Sequence, residues 1–200
     1  MLKKYGFLGF WNLLVSLLYT RLFYRQARII RLPFDIRNRH LVEIGKDFTT
    51  GFGCRIEALP INNVVANCIQ IGKDVQINDY VHIAAGESIK IGDHVLIASR
   101  VFISDINHGT YSGDHQDSPL VPPNDRKLST RPIVISDNVW IGEGVCVMSG
   151  ITIGQGSIIG ASSVVTKDIP PNSIAVGSPA KVVKVYNFEN GIWERVNENN

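Results

Sequence analysis

Five histidines and three cysteines are the side chains of this chain best suited to moving a proton or holding a metal, and one of them, His108, stands where the sequence changes character. It lies near the start of 29 residues, SDINHGTYSGDHQDSPLVPPNDRKLSTRP, that contain four of the nine prolines and no periodicity. An imidazole titrates near neutrality, so in that place it is either a general base or an ordinary surface-loop histidine. Asp105, three residues earlier, is a candidate to orient the ring, although a backbone carbonyl would serve equally well. His82, His108 and His115 are the three imidazoles that a zinc site would need. Two of them fall inside the same irregular stretch, without the spacing expected of ligands on adjacent repeats, so no metal is expected. His40 and His94 have no comparable placement. Cys54, Cys68 and Cys146 are odd in number and form no CxxC pair. They predict reduced thiols in a cytosolic protein, acting as small hydrophobes in the interior.

What must hold these groups in place is written as a beat of six. Branched aliphatic residues recur at Ile71, Ile77, Ile83 and Ile89, at Ile91, Ile97 and Ile103, and at Ile135, Ile141, Val147, Ile153, Ile159 and Val165. A helix returns its apolar face every three or four residues and a strand every two, so neither explains a period of six. A left-handed parallel β-helix does: each hexad gives one short strand and one turn, and three hexads close a triangular coil with the aliphatic residue inside. The class is therefore all-β. Glycine follows the aliphatic residue at Gly45, Gly72, Gly92, Gly142, Gly154 and Gly160, where the expectation is a turn with backbone angles that only glycine tolerates. A second hydrophobe follows at Val75, Val81, Val95, Val101, Val139, Val145 and Ile151. The beat is irregular from Leu59 to Asn67, slips by two residues near Glu87, and stops between Ile103 and Ile133. A long non-repetitive loop anchored by regular strands at both ends is usually functional.

Two hundred residues, 44% hydrophobic and 19% charged, make one ordinary globular unit. The net charge of +2 conceals an asymmetry, because residues 1–40 carry +7 and the remainder −5. No basic stripe interleaved with aromatics runs through the repeats, which argues against nucleic acid. From Tyr5 to Tyr19 the chain reads YGFLGFWNLLVSLLY, about 15 apolar residues where a bilayer span needs roughly 20. Arginines follow it, not a small-residue cleavage site, so it fits a signal peptide poorly. Residues 1–40 are thus expected as a basic amphipathic helical segment. Its helix either lies in a membrane interface, through Phe7, Phe10, Trp11, Leu14, Leu17 and Leu18 with arginines up to Arg31 on the head groups, or packs on the prism or a partner subunit. The β-helix would occupy 41–186 with residues 104–132 extruded, and 187–200 would form an outer tail.

Several segments, QINDYVHIA, IGDHVLIASRVFISDINHG, VWIGEGV, GASSVVTKDIPPN and GSPAKVVK, resemble the hexapeptide-repeat acyltransferases over about residues 41–186. The likeness is greatest to the galactoside, maltose and nodulation-factor O-acetyltransferases and especially to the O-acetyltransferases of bacterial lipopolysaccharide O-antigen synthesis, whose N-terminal helix this chain's own also resembles. The resemblance implies that His108 is the general base, taking a proton from a sugar hydroxyl as it attacks the thioester of acetyl-CoA without a covalent enzyme intermediate. It implies that Asn78 contacts the acceptor. Where relatives hold an acceptor-binding aspartate this chain has Gly86, and Glu87 beside it is the candidate replacement. On the coenzyme side the resemblance places Trp140 by the pantetheine arm. Ala161, Thr166 and Lys167 would bond pantetheine and nucleotide, and Glu143 would contribute through its backbone. Lys181 and Lys184 stand where relatives have arginines near the phosphates, keeping the charge and losing the bidentate fork. Plain structural roles remain open for Asn78, Trp140 and the two lysines.

The family is homotrimeric, with coenzyme in a groove between two prisms. The expected activity is O-acetylation of a sugar hydroxyl in a surface-polysaccharide precursor, presented as a sugar or lipid-linked glycan at the cytoplasmic face. N-acetylation of an amino sugar and a non-catalytic scaffold are the alternatives.

Overall fold

The structure, a computed structural model, describes residues 2–61 and 67–196, with side chains from Gly6 onward. After helix α1 (Leu2–Phe23) the chain winds as a triangular prism with three parallel faces. The first face stacks Thr49–Thr50, Gln76–Ile77, Leu96–Ile97, Trp140–Ile141, Ile158–Ile159 and Ser173–Val176. The second stacks Phe34–Arg37, Cys54–Ala58, His82–Ala85, Phe102–Ser104, Cys146–Val147 and Val164–Val165. The third stacks Val42–Ile44, Ile69–Ile71, Ile89–Ile91, Ile133–Ile135 and Thr152–Ile153. Register follows the beat: Ile77 pairs with Ile97, Ile97 with Ile141 and Ile141 with Ile159. Each is fully buried, which contributes about 1.5–3 kcal/mol per side chain.

The recurrent glycines have a different cause from the one expected. None of Gly45, Gly72, Gly92, Gly142, Gly154 and Gly160 has a positive φ. They are small because successive coils touch there: a Cβ on Gly72 would lie 2.6 Å from the carbonyl oxygen of Gly92, and one on Gly142 would lie 2.7 Å from the nitrogen of Ala161. The left-handed positions come later in each turn and fall on Asp74, Tyr80, His94, Arg100, Asn138 and Ser162, and on Gly53, Gly144, Gly150 and Gly156. Turn aspartates stitch the coils together. Asp93 accepts from the Lys73 N–H at 2.8 Å, which holds its carboxyl below the usual range, and Asp137 accepts from the Asp93 N–H at 2.8 Å.

Every irregularity in the beat occurs at one edge, where the chain passes from the second face to the third. Residues 59–61 and 67–68, the Gly86–Ser88 corner and the 104–132 excursion all lie there. The later coils cross the same edge without insertion, as at Val147 to Thr152. The excursion is rooted in an antiparallel hairpin, Ile106–His108 with Leu128–Thr130, so His108 rides on a strand.

The N-terminal segment departs from expectation in two respects. It is helical only to Phe23, and from Ile29, which bridges Thr49, it already belongs to the first coil, with Phe34–Arg37 paired to Cys54–Ala58. Nor is the helix amphipathic in the usual sense. The face turned to the prism is polar: Ser16 and Thr20 are buried, and their hydroxyls accept the Leu32 and Ile30 N–H groups at 3.1 and 2.8 Å. Phe7, Leu8, Trp11, Leu18, Leu22 and Phe23 are exposed. The apolar helix Gly6–Phe23 is 18 residues long, longer than the 15-residue run suggests.

Candidate active site

Sorting the sequence-derived candidates by edge divides them into two groups. Asn78, Glu143 and Ala161 lie on the edge between the first and second faces. There Asn78 donates its backbone N–H to Ile97 and Gly142 donates to Ile159. Trp140 projects from the adjoining first face and is half exposed, between Leu96 and Ile158. Glu87, Asp105, His108, Thr166 and Lys167 lie on the opposite edge of the second face, where the insertions leave. One chain therefore does not bring Asn78 and His108 together; the width of the second face separates them.

Asp105 corrects its expected role. It is fully buried, and its carboxylate accepts three backbone N–H groups: Gly86 on Oδ1 at 2.6 Å, Glu87 and Ser88 on Oδ2 at 2.9 and 2.8 Å. Both oxygens are committed to the corner, so Asp105 cages the turn and does not orient the His108 ring. That turn presents Glu87, whose Oε2 accepts from the Thr130 hydroxyl at 2.7 Å. Thr130 pairs with Ile106, two residues before His108 on the same strand, so the caged corner and the histidine share the root of the excursion. At Gly86 a side chain has no room: a Cβ would lie 2.7 Å from Ile61, 2.8 Å from Thr130 and 2.9 Å from Ile106. A carboxylate cannot stand at 86 without moving these, whereas Glu87 reaches the same corner from its rim.

His108 is exposed, and its backbone carbonyl accepts from the Tyr111 hydroxyl. Tyr111 in turn accepts from Arg126 Nη1 at 2.7 Å, closing the excursion against the histidine strand. Nothing in the sequence pattern singled out Tyr111 and Arg126. His82 is engaged elsewhere, 2.7 Å from the carboxylate of Glu57 and packed in a tilted pair with Phe102, ring centroids 5.3 Å apart. Among the described residues, no three His, Cys, Asp or Glu side chains converge as a metal site would require.

On the Asn78 edge, the Asn78 side chain accepts from Gln76 at 3.1 Å, and the buried Cys54 thiol donates to the Asn78 carbonyl at 2.9 Å. Burial pushes the Cys54 thiol up from 9.0 to about 11, so it stays protonated and serves as a donor. Cys68 is buried as expected, but Cys146 lies half-exposed on the outside of the second face, not in the prism. Glu143 is exposed and 3.5 Å from Arg100. Lys181 and Lys184 stand on Lys181–Asn187, an antiparallel strand added to the first face beyond the last coil.

Residues 132–167 match the family described as bacterial transferase hexapeptide (six repeats). Over 194 residues, 96% of either chain, the protein is 45% identical to WbbJ of Escherichia coli K12, named as a lipopolysaccharide biosynthesis O-acetyl transferase. It is 39% identical to the galactoside O-acetyltransferase of the same organism, over 78% of this chain and 72% of that one. Among solved structures, the N-acyltransferase AntD of Bacillus cereus, determined with dTDP-4-amino-4,6-dideoxyglucose and coenzyme A, superposes with a TM-score of 0.66. It covers 83% of this chain and 84% of its own at 23% identity, a likeness of fold. With a prism built from stacked hexads and a relative matched end to end, the chain belongs to the hexapeptide-repeat acyltransferases and is an acetyltransferase of that family.

Proposed function

We propose that the protein transfers acetyl from acetyl-CoA to a sugar hydroxyl of a bacterial surface-polysaccharide precursor, with His108 as general base. The observation that carries this reading is the exposed His108 imidazole, held on a strand at the rim of a caged corner that presents the Glu87 carboxylate. Neutral imidazole takes the acceptor hydroxyl proton as the oxygen attacks the thioester carbonyl. Collapse of the tetrahedral intermediate then expels the CoA thiolate, which recovers the proton from imidazolium. The division of candidates over two edges of one prism supports a homotrimer in which the Asn78 edge of one copy faces the His108 edge of the next. In that arrangement Trp140 lines the pantetheine arm while Ala161, Thr166 and Lys167 contact it from two subunits. The similarity to WbbJ supports a lipopolysaccharide-type acceptor, lipid-linked at the cytoplasmic face.

The N-terminal helix supports that location. Its polar stripe is used up on the prism and its aromatic and aliphatic side chains face outward, followed by Arg21, Arg25, Arg28 and Arg31. An anionic bilayer satisfies both features. Trp11→Ser with Leu18→Ser should abolish partition onto vesicles containing phosphatidylglycerol while leaving the fold intact; unchanged partition would remove the membrane role.

The test of the chemistry is His108→Ala, assayed by CoA release against a panel of hydroxyl and amine sugars. A fall in kcat of about 10²–10⁴ with unchanged melting temperature is expected. Wild-type turnover would remove the base, and activity confined to amine acceptors would replace O-acetylation by N-acetylation.

A further inference from the structure

Residue register along the first face draws a continuous line outward from Trp140. Trp140 pairs with Ile158, Ile158 with Ile174, Ile174 with Lys184, and Lys184 with Arg195 on the last strand, Ile192–Arg195. Partners in register project to the same side of a sheet. Their neighbours Ile159 and Ala175 are fully buried inside the prism, so this line runs on the outer surface. A register shift between Ile174 and Ala175 brings Lys181, opposite Val176, to that same outer side, although it stands an odd three residues from Lys184. The line therefore passes from aromatic to aliphatic to cationic over four strand spacings, about 19 Å at about 4.8 Å each.

We propose that Arg195 completes a phosphate-binding triad with Lys181 and Lys184 and anchors the nucleotide end of the coenzyme; this rests on the acetyl-CoA reading above. The track has the chemistry of its ligand, with an uncharged pantetheine arm over Trp140, Ile158 and Ile174 and phosphates over the three cations. Arg195 supplies the planar fork that the two lysines lack. Its strand is held in place for the purpose. Tyr186 and Trp193 pack at 5.2 Å, Tyr186 and Phe188 at 4.9 Å, and the Val196 N–H donates to Val183 at 3.0 Å. Glu194, on the opposite side, accepts from Asn187 and Asn190 at 2.9 and 2.7 Å, which turns its charge away from the cations. Among the described residues none of the three cations is in an ion pair. The terminal hairpin is then part of the binding site and not a loose appendage.

Calorimetric titration of the full-length protein with CoA and with 3′-dephospho-CoA tests this without knowledge of the acceptor. Arg195→Ala should weaken CoA binding about tenfold, and Arg195→Lys should restore most of it, with melting temperature unchanged. A loss seen with CoA alone assigns Arg195 to the 3′-phosphate, and an equal loss with both ligands assigns it to the pyrophosphate; either supports the triad. Unchanged CoA affinity in Arg195→Ala overturns it, as does an equal loss in the binding of S-acetylpantetheine, which carries no phosphate. If wild-type protein binds no CoA, the coenzyme reading itself fails, which is a different result.

Discussion

Asp105→Asn separates two roles for a buried carboxylate. In the structure Oδ1 takes one backbone N–H and Oδ2 takes two. An asparagine places its amide oxygen where it serves Glu87 and Ser88 and turns its NH₂ toward the Gly86 N–H, donor against donor. The change forfeits one charge-assisted bond, about 1.5–3 kcal/mol, and strands a buried donor at about 1–3 kcal/mol more. The sum, about 2.5–6 kcal/mol, should lower the melting temperature by about 10 °C in a chain of this length. Measurements belong at one protein concentration, because the proposed assembly of copies would contribute to apparent stability. On the proposed reading, the loosened corner should also raise KM for the acceptor through Glu87 and change CoA affinity less, since the proposed phosphate and pantetheine track from Trp140 to Arg195 runs along the first face. A variant that melts like wild type would refute the cage. One that keeps its stability and loses only kcat would restore Asp105 as the orienter of His108.

Three further outcomes follow from the packing. Gly92→Ala, at a contact between coils where a Cβ would meet the Asp137 nitrogen at 2.8 Å, should destabilise by more than about 2 kcal/mol, whereas Asn138→Gly, at a left-handed position with φ 58°, should change stability by less than about 1 kcal/mol in urea titrations. Thr20→Val removes the acceptor of the buried Ile30 N–H and should cost about 1–3 kcal/mol and expose the helix junction to limited proteolysis. The folded Cys54 thiol ionises near 11 and the unfolded one near 9.0, so its stabilising contribution is complete below about pH 9 and disappears as pH rises to about 11. Cys54→Ala should flatten that alkaline loss in thermal melts, and native protein at pH 8 should leave Cys54 unmodified by iodoacetamide.

The prism was legible because its signal is repetitive: every coil restates the same steric demand, and thirteen aliphatic positions agree on one period. The glycines were legible as positions but not as physics. A sequence does not show that Gly72 faces the next coil's carbonyl, and the left-handed turn position is shared between glycines such as Gly144, Gly150 and Gly156 and residues such as Asp74, Tyr80, His94, Arg100 and Ser162, so it carries no uniform glycine signal. The N-terminal helix misled for a related reason. Ser16 and Thr20 look like the solvent side of an amphipathic helix, yet backbone N–H groups arriving from Ile30 and Leu32 make them the buried side.

The candidate site was legible one residue at a time and not as an arrangement. His108 could be found because the beat stops beside it; the three N–H groups that claim Asp105 come from 17 to 19 residues away and leave no local trace. The same holds for the line from Trp140 to Arg195, whose members are spaced by 18, 16, 10 and 11 residues and meet only through strand register. A β-helix translates sequence distance into a face and a height, and its chemistry depends on which residues share them. Asn78 and His108 are five hexads apart in sequence, and because three hexads close a coil they fall on different edges of the prism. The slip after Ile83 gives Glu87 its place on the rim, and in the proposed assembly a second copy of the chain would bring the Asn78 amide to His108.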